Sequence, residues 1–347
     1  MSNKSQASQV VDDKGRMVSD LWLDQPDAPQ EIEKRRQEGR ITDQEAENLS
    51  HFVEKGYLAI HLDFPEDKLD QINRDVDKLW DQQPVDLAYA YREDLTSMAD
   101  AIEDEERKPG YRIADLHGHS QAARDLYLDP QIFHWLELIF DQPAVAFQSL
   151  YFQWGSQQSL HRDPVYVVTQ PASHLLATWV ALEDIGPDCG PLNYVPGSHR
   201  MPYYQFEPGR IAIAADEDYM KAFKYSERIM KKEGLEEQLF TCKKGDCFIW
   251  HANLVHGGSL VKDASKTRRS FVVHYSTVGN YRKRGGTMKL KGGRPQPEPL
   301  WNETSEIIEQ DGARGFEAPL KDLHPDNLPL KSRLRSTAKR WLRKLRG

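Results

Sequence analysis

The sequence contains only three cysteines in 347 residues, at Cys189, Cys242 and Cys247. An odd number this small excludes a disulfide framework, and the spacing of the last two is unlike that of a zinc knuckle. The chain also lacks an apolar run long enough to cross a bilayer, and its first residues are polar rather than those of a signal peptide. We therefore expect a cytoplasmic protein whose cysteines serve packing.

Charge of one sign is concentrated at the end of the chain. Residues 331–347 contain eight basic residues and no acid, so the net charge of -8 combines +8 in this segment with -16 in the preceding 330 residues. Apolar residues recur there at helical spacing, namely Leu334, Ala338, Trp341, Leu342 and Leu345. The pattern predicts a basic amphipathic helix that contacts an anionic membrane or an acidic protein, or that is simply solvated. A basic footprint confined to one terminus does not favour nucleic acid.

Polar and helical patterns precede the centre of the chain. Residues 1–40 are charged with weak periodicity and predict a mobile N-terminal arm with at most a short helix. Thr42 and Glu45 have the spacing of a capping box, and Gly56 supplies a C-terminal stop, so a helix is predicted between them. Further helices are predicted after Pro65, from Pro130 and, as an insertion, over residues 216–236.

From Ala144 onward the chain favours strands. Short segments rich in Val, Phe, Tyr, Trp and Thr occur at residues 145–153, 164–169, 175–182, 238–242, 247–251 and 270–277. Strands without regularly interleaved helices predict an antiparallel double sheet or jelly roll, in a mainly β fold with flanking helices (α+β). We expect one domain over residues 41–285, followed over 286–347 by a Gly/Pro-rich connector and the basic helix.

Two separated stretches contain candidate metal ligands. His161 and Asp163 are two residues apart, so on an extended segment their side chains share a face. His256 and His251 compete as a third ligand, and the glycines at 257–258 favour His256 because they let the backbone approach a bound ion closely. Two histidines and one carboxylate leave three positions free on an octahedral iron, which is the arrangement of non-haem Fe(II) oxygenases.

A candidate carboxylate clamp follows the second stretch. Arg268 leads into a predicted strand, and a planar guanidinium can bind both oxygens of a carboxylate at once. Ser270 shares a face with Arg268, whereas Arg269 points to the opposite face.

Candidate substrate residues are less specific. A cationic group of side chains could form an entrance for a phosphate or carboxylate, consisting of Arg112, His117, His119 and Arg162. His117 and His119 could alternatively form a second ligand set, although a polar loop near the site is the simpler interpretation. Surface charges are the commoner explanation for all four residues.

Five motifs in a fixed order resemble those of the phytanoyl-CoA dioxygenase-like family of Fe(II)/2-oxoglutarate oxygenases, over roughly residues 45–280. Besides the stretches above, residues 177–184 read Ala-Thr-Trp-Val-Ala-Leu-Glu-Asp and residues 189–199 read Cys-Gly-Pro-Leu-Asn-Tyr-Val-Pro-Gly-Ser-His. The resemblance implies a double-stranded β-helix with Fe(II) and 2-oxoglutarate bound, and with O2 as the oxidant. It assigns three iron ligands, His161, Asp163 and His256.

The resemblance also implies further roles. Arg268 would hold the far carboxylate of 2-oxoglutarate, Trp179 would lie against this co-substrate, and Ser270 would add a hydrogen bond. Asp163 favours hydroxylation, because related halogenases have a small residue at that position. The implied reaction is hydroxylation of an aliphatic C–H of a small-molecule, lipid or lipid-linked substrate. A non-catalytic jelly-roll metal-binding or regulatory module and a cupin-like metal-dependent isomerase remain alternatives.

Overall fold

The computed structural model describes residues 10–82, 88–91, 94–99, 109, 111–167, 169, 171–213, 219–278 and 307–316. The predicted basic helix at 331–347 and most of the predicted connector lie outside these ranges. Among the described helices, none combines the length and the apolar character that crossing a membrane requires.

Six α-helices form in the described chain, and local signals explain several of their ends. They are α1 (Ala28–Gln37), α2 (Asp43–Lys55), α3 (Glu66–Gln82), α4 (Gln121–Tyr127), α5 (Pro130–Phe140) and α6 (Tyr219–Glu233). The capping box of α2 is present: the Glu45 amide donates to Thr42 Oγ1 at 3.2 Å, and the Thr42 amide donates to a Glu45 carboxylate oxygen at 2.6 Å. Gly56 ends α2 with φ 81°, which favours glycine.

The strands form two sheets. They are β1 (Tyr57–His61), β2 (Ala88–Tyr91), β3 (Asp94–Ala99), β4 (Tyr111–Ala114), β5 (Ala144–Phe152), β6 (Leu176–Ala181), β7 (Leu192–Tyr194), β8 (Gln238–Phe240), β9 (Asp246–His251), β10 (His256–Gly258), β11 (Ser270–Thr277), β12 (Ile307–Gln310) and β13 (Ala313–Phe316). The large sheet has the order β1-β9-β6-β11-β5-β4-β2-β3, with the β12–β13 hairpin joined to β5, and the small sheet has the order β10-β7-β8. Two mainly antiparallel sheets with flanking helices confirm the predicted α+β jelly-roll class, although the described strands do not close into a barrel.

Strand β11 shows how the large sheet separates two packed layers. Phe271, Val273 and Tyr275 belong to the apolar cluster that includes the helices, whereas Val272 belongs to a second cluster that includes residues of the small sheet. Because side chains alternate along a strand, Ser270 shares the face of Val272. Functional residues on this face therefore lie between the two sheets.

The described part of the predicted mobile arm is packed in the structure. Leu21, Leu23 and Ile32 are buried in the main core. Arg35 donates two hydrogen bonds, of 2.9 and 3.0 Å, to the carboxylate of Asp141 at the end of α5. The prediction of a mobile arm is wrong for residues 10–40. These residues pack through isolated apolar side chains and long-range ion pairs, which leave no periodic pattern in the sequence.

Two other predictions of local structure are wrong. Asp163–Val165 forms a short 3-10 helix instead of the start of a strand over 164–169, with Pro164 in its first turn. Within the predicted connector, residues 307–316 form the β12–β13 hairpin around Asp311-Gly312, which is a strong two-residue turn signal. Packed structure thus extends beyond both predicted domain boundaries.

Candidate metal centre

Three ligand-type side chains converge between the two sheets. The His161 amide donates to the His256 carbonyl at 2.8 Å, and the His256 amide donates back at 3.0 Å, so the two histidines lie side by side. Asp163 begins the adjacent 3-10 helix. One ligand atom from each of these residues lies within 4.8 Å of the others. The pairing of His161 and Asp163 with His256 expected from the sequence is therefore present in space.

Both histidines are held in the tautomer that binds a metal. His161 Nδ1 lies 2.9 Å from the Ser159 carbonyl, and His256 Nδ1 lies 2.9 Å from the Leu254 carbonyl. A carbonyl oxygen only accepts, so each Nδ1 carries a proton, and in the neutral ring this leaves the lone pair on Nε2, which faces the site. Burial lowers the pKa of His161 to about 3, which keeps this imidazole neutral.

The carboxylate of Asp163 is fixed by a neighbouring indole. Trp250 Nε1 donates to Asp163 Oδ2 at 2.8 Å, while Oδ1 lies 3.4 Å from His256 Nε2 and 3.8 Å from His161 Nε2. A hydrogen bond from the indole N–H stabilises the ionised form of the carboxyl, which presents Oδ1 towards the two Nε2 atoms.

The two glycines after His256 permit a close approach of protein backbone rather than of an ion. A Cβ at Gly257 would lie 2.7 Å from the Gln158 carbonyl oxygen, and one at Gly258 would lie 2.8 Å from the Gln157 amide nitrogen. The Gly258 amide also donates to the Gln158 carbonyl at 2.9 Å. These glycines let β10 lie against the segment that leads to His161, so they act on the site through the backbone.

Arg268 is a buried cation. Its side chain donates to Ser270 Oγ at 3.1 Å and to the Trp154 carbonyl at 3.5 Å, and Nε has no hydrogen-bond partner. Among the described residues it forms no ion pair with a carboxylate, although it is only 2 % exposed. Burial lowers the pKa of Arg268 to about 10, so the guanidinium remains charged at neutral pH. A buried charge of this kind calls for an anionic partner.

Aromatic rings form the walls beside this guanidinium. The Arg268 Cζ atom lies 5.4 Å from the centroid of Phe152 and 5.5 Å from that of Trp179. Trp179 is fully buried on β6, and its Nε1–H has no hydrogen-bond partner among the described residues. The structure therefore brings Arg268, Ser270 and Trp179 together, as the resemblance implied.

The two arginines expected at the entrance occupy different environments. Arg112 is buried on β4, and its charge is close enough to contribute to the lowered pKa of His161. Arg162 is also buried, but it stacks on Tyr203 at 3.7 Å and donates to the Met201 and Pro202 carbonyls at 2.9 and 2.8 Å. Arg112 thus belongs near the metal centre, whereas Arg162 supports the loop after Ser198–Arg200.

His117 does not line an entrance. It is 1 % exposed, its Nδ1 lies 2.7 Å from Ser149 Oγ, and its Nε2 lies 3.1 Å from the Phe316 carbonyl. Because both ring nitrogens are engaged inside the protein, the prediction of a substrate or metal role for His117 is wrong. His119 is partly exposed, and its Nε2 has no hydrogen-bond partner in the described part of the chain.

His251, the competing third ligand, is engaged elsewhere. Its Nε2 lies 3.2 Å from a carboxylate oxygen of Asp24, and its Nδ1 accepts from the Asn253 amide at 3.0 Å. This bonding leaves neither nitrogen for a metal. The choice of His256 over His251 therefore agrees with the structure.

One residue of the site was missed in the sequence. His274 Nε2 lies 4.0 Å from Asp163 Oδ1, and the side chain is 5 % exposed. Its position on β11, four residues after Ser270 and therefore on the same face, was a signal that could have identified it.

The chain matches the family model described as phytanoyl-CoA dioxygenase (PhyH) over residues 52–270. Among curated proteins, it is 25% identical to phytanoyl-CoA dioxygenase domain-containing protein 1 of Mus musculus over 191 residues, which are 53% of this chain and 60% of that protein. It is 21% identical to the peroxisomal phytanoyl-CoA dioxygenase of Bos taurus over 264 residues, 72% of each chain. The match to the mouse relative therefore spans less than two thirds of that protein's length.

Solved structures share the fold. EctD from S. alaskensis, crystallised with 2-oxoglutarate and 5-hydroxyectoine, is 19% identical with a TM-score of 0.51, over 69% of this chain and 77% of that one. The non-haem alpha ketoglutarate dependent epimerase SnoN from nogalamycin biosynthesis is 16% identical with a TM-score of 0.51, over 79% and 98%. Identities this low establish the architecture alone. The family match, which covers more than half of the chain, shows that this protein belongs to the phytanoyl-CoA dioxygenase family.

Proposed function

We propose that the protein is an Fe(II)- and 2-oxoglutarate-dependent dioxygenase that uses O2 to hydroxylate an aliphatic C–H of a small-molecule, lipid or lipid-linked substrate. Succinate and CO2 would be the co-products. Family membership supports the class of enzyme, and the chemistry of the buried side chains supports the two bound groups.

The donor set suits Fe(II). His161 and His256 offer Nε2 atoms, and Asp163 offers Oδ1, which is the two-histidine, one-carboxylate set of non-haem iron oxygenases. The hydrogen bond from Trp250 to Oδ2 favours coordination through a single carboxylate oxygen. Such a set leaves positions on the ion for a chelating co-substrate and for dioxygen.

The observation that carries the proposal is the buried charge of Arg268, which forms no ion pair with any described carboxylate. A dicarboxylate with one end on the metal would place its other end against this guanidinium, with Ser270 as a further hydrogen-bond donor. Arg268 Nε–H and Trp179 Nε1–H, which lack a hydrogen-bond partner among the described residues, would then gain an acceptor. A metal-dependent isomerase or a metal-binding module has no need of this clamp.

Bound iron and co-substrate would supply the activation of dioxygen, and the protein's own residues position and protect that chemistry. Arg268 pairs with a carboxylate in a dry pocket, where the interaction is stronger than in water. Phe152 and Trp179 exclude solvent from this pocket. Trp250 and the carbonyls of Ser159 and Leu254 keep the three ligands oriented before the ion arrives.

We infer that the substrate presents an anionic group to Arg112, a buried residue of β4 that pairs in register with Phe152, whose ring lies beside Arg268. A phosphate or carboxylate attached to an aliphatic chain would meet this requirement. Arg112→Gln should then raise the substrate KM more than it changes the affinity for 2-oxoglutarate. Equal effects on both constants would place Arg112 at the co-substrate instead.

The test adds Fe(II) and 2-oxoglutarate anaerobically, records the weak visible charge-transfer band, admits O2 and measures succinate. Asp163→Ala should abolish both signals. Arg268→Ala should weaken 2-oxoglutarate binding by roughly 30-fold or more, since leaving a buried charge partner unpaired costs about 2 kcal/mol or more. Arg269→Ala is the matched control, because that side chain lies on the opposite face, where it pairs with Asp77 of α3 at 3.1 Å. Absence of both signals from the wild type, or equal behaviour of the two arginine variants, would refute the proposal.

A further inference from the structure

His274 occupies a fixed position on the inner face of β11. It lies opposite Ala177 on β6 and Gln148 on β5, so strands of the large sheet flank it on both sides. Its ring stacks on Phe147 with a centroid distance of 6.1 Å and an interplanar angle of 25°. Phe147 lies where the β5–β11 register shifts. The imidazole is therefore held between a stacked ring and the interior of the site.

The Nε2 edge of this ring faces the metal-binding carboxylate. Three imidazole Nε2 atoms surround Asp163 Oδ1, at 3.4 Å for His256, 3.8 Å for His161 and 4.0 Å for His274. The other oxygen, Oδ2, is already occupied by the Trp250 indole. A separation of 4.0 Å is longer than a hydrogen bond, so the proposed contact requires the two side chains to approach by about 1 Å.

The hydrogen bonding of His274 differs from that of the two candidate ligands. Each of those histidines donates Nδ1–H to a carbonyl and keeps Nε2 free. His274 Nδ1 is buried and has no hydrogen-bond partner among the described residues. Since a metal-bound histidine almost always donates its other N–H, this ring does not have the environment of a ligand. A proton on Nε2 instead has an acceptor close by, Asp163 Oδ1.

We propose that His274 is a positioning residue of the metal centre, whose Nε2–H donates to Asp163 Oδ1. Together with Trp250 on Oδ2, it fixes the plane of the carboxylate and leaves Oδ1 directed at the ion. The inference rests on the proposed function in that Asp163 is taken to bind a metal. It assigns to His274 an effect on metal affinity and ligand field, not on bond making.

The experiment measures Co(II) binding to the metal-free full-length protein, by titration and by the visible ligand-field spectrum. His274→Phe keeps the ring and the stack on Phe147 but removes the donor, and His274→Gln retains an N–H at a similar reach. We expect Phe to weaken Co(II) binding by roughly 10- to 100-fold and to shift the spectrum, and Gln to restore affinity to within about threefold of wild type. His134→Phe, at an exposed histidine, is the matched control. Circular dichroism and thermal unfolding confirm that each variant is folded.

Wild-type affinity and spectrum in His274→Phe would overturn the proposal. Equal, large losses in His274→Phe and His274→Gln, with a spectrum that reports one fewer nitrogen ligand, would also overturn it and identify His274 as a ligand. The proposed function fails separately: a wild type that binds Co(II) but forms no succinate with Fe(II), 2-oxoglutarate and O2 refutes the oxygenase and leaves the role of His274 intact.

Discussion

Replacing Asp115 by asparagine should stabilise the protein at pH 8 far more than at pH 4.5. Asp115 is completely buried, accepts one hydrogen bond from the Ser149 amide at 3.1 Å, and leaves Oδ2 without a partner. Its neighbour His117, 4.0 Å away, provides no compensating charge, because burial lowers the pKa of that imidazole to about 3. Burial accordingly raises the pKa of Asp115 from 3.8 to about 7.

The direction in which stability changes with pH follows from the number of protons bound by the folded and the unfolded chain. Below pH 3.8 the carboxyl is protonated in both the folded and the unfolded chain, so it costs nothing. As pH rises, the unfolded chain releases this proton first, and stability is lost until the folded pKa of about 7 is passed. One pKa unit is worth about 1.36 kcal/mol, so the full cost of Asp115 is roughly 4 kcal/mol above pH 7 and about 1 kcal/mol at pH 4.5.

Urea unfolding of Asp115→Asn and wild type at both pH values measures this difference. Asparagine tolerates the left-handed backbone here, where φ is 52°. Any cost of the buried amide is the same at both pH values, so the stability gain at pH 8 should exceed that at pH 4.5 by roughly 3 kcal/mol. Asp311→Asn, exposed with φ 50°, is the matched control and should show no such difference. A gain that does not change with pH would refute the reasoning.

Three other perturbations test separate parts of the molecule. Gly257→Ala should displace the segment that leads into the metal centre and weaken Co(II) binding by roughly tenfold. Gly186→Ala, where a Cβ would meet open space, should leave Co(II) binding unchanged. Equal affinities of the two variants would refute the role of Gly257 in holding this segment. Arg35→Ala should lower the free energy of unfolding by about 2 kcal/mol, because it removes a buried guanidinium that bonds Asp141 at two points and stacks on Trp22. Arg36→Ala, in an exposed pair, should lower it by less than about 1 kcal/mol. We propose that residues 331–347 bind anionic membranes, so deleting them should abolish co-sedimentation with anionic vesicles, and unchanged sedimentation would exclude that role.

Local signals made part of the fold predictable. The capping box and the terminal glycine of α2 act within a few residues, so both ends of that helix were identified. Alternation along β11 correctly placed Arg268 beside Ser270 and Arg269 on the opposite face. The same alternation places His274, four residues after Ser270, on the face of Arg268. His274 was missed because it belongs to no recognised motif.

Contacts across long sequence separations were not predictable. The pairing of Arg35 with Asp141 spans 106 residues, and the acceptor for His117 lies 199 residues away at Phe316. Nothing in the composition of either segment indicates its partner. The glycines after His256 were correctly recognised as positions of close approach, but what approaches them is the chain at Gln158, which only the packing of the two sheets determines.

The β12–β13 hairpin has a consequence for synthesis on the ribosome. The Phe316 carbonyl accepts hydrogen bonds from His117 Nε2 and from the Tyr127 hydroxyl, and Phe316 packs with Phe147 in a small apolar cluster. Until residue 316 leaves the exit tunnel, two buried donors lack their acceptor and the β5 edge near Ala146 lacks its neighbour. An exposed strand edge is a template for association with other chains. A nascent chain that stalls just before the hairpin therefore exposes this strand edge to other chains, even though every proposed iron ligand has already been made.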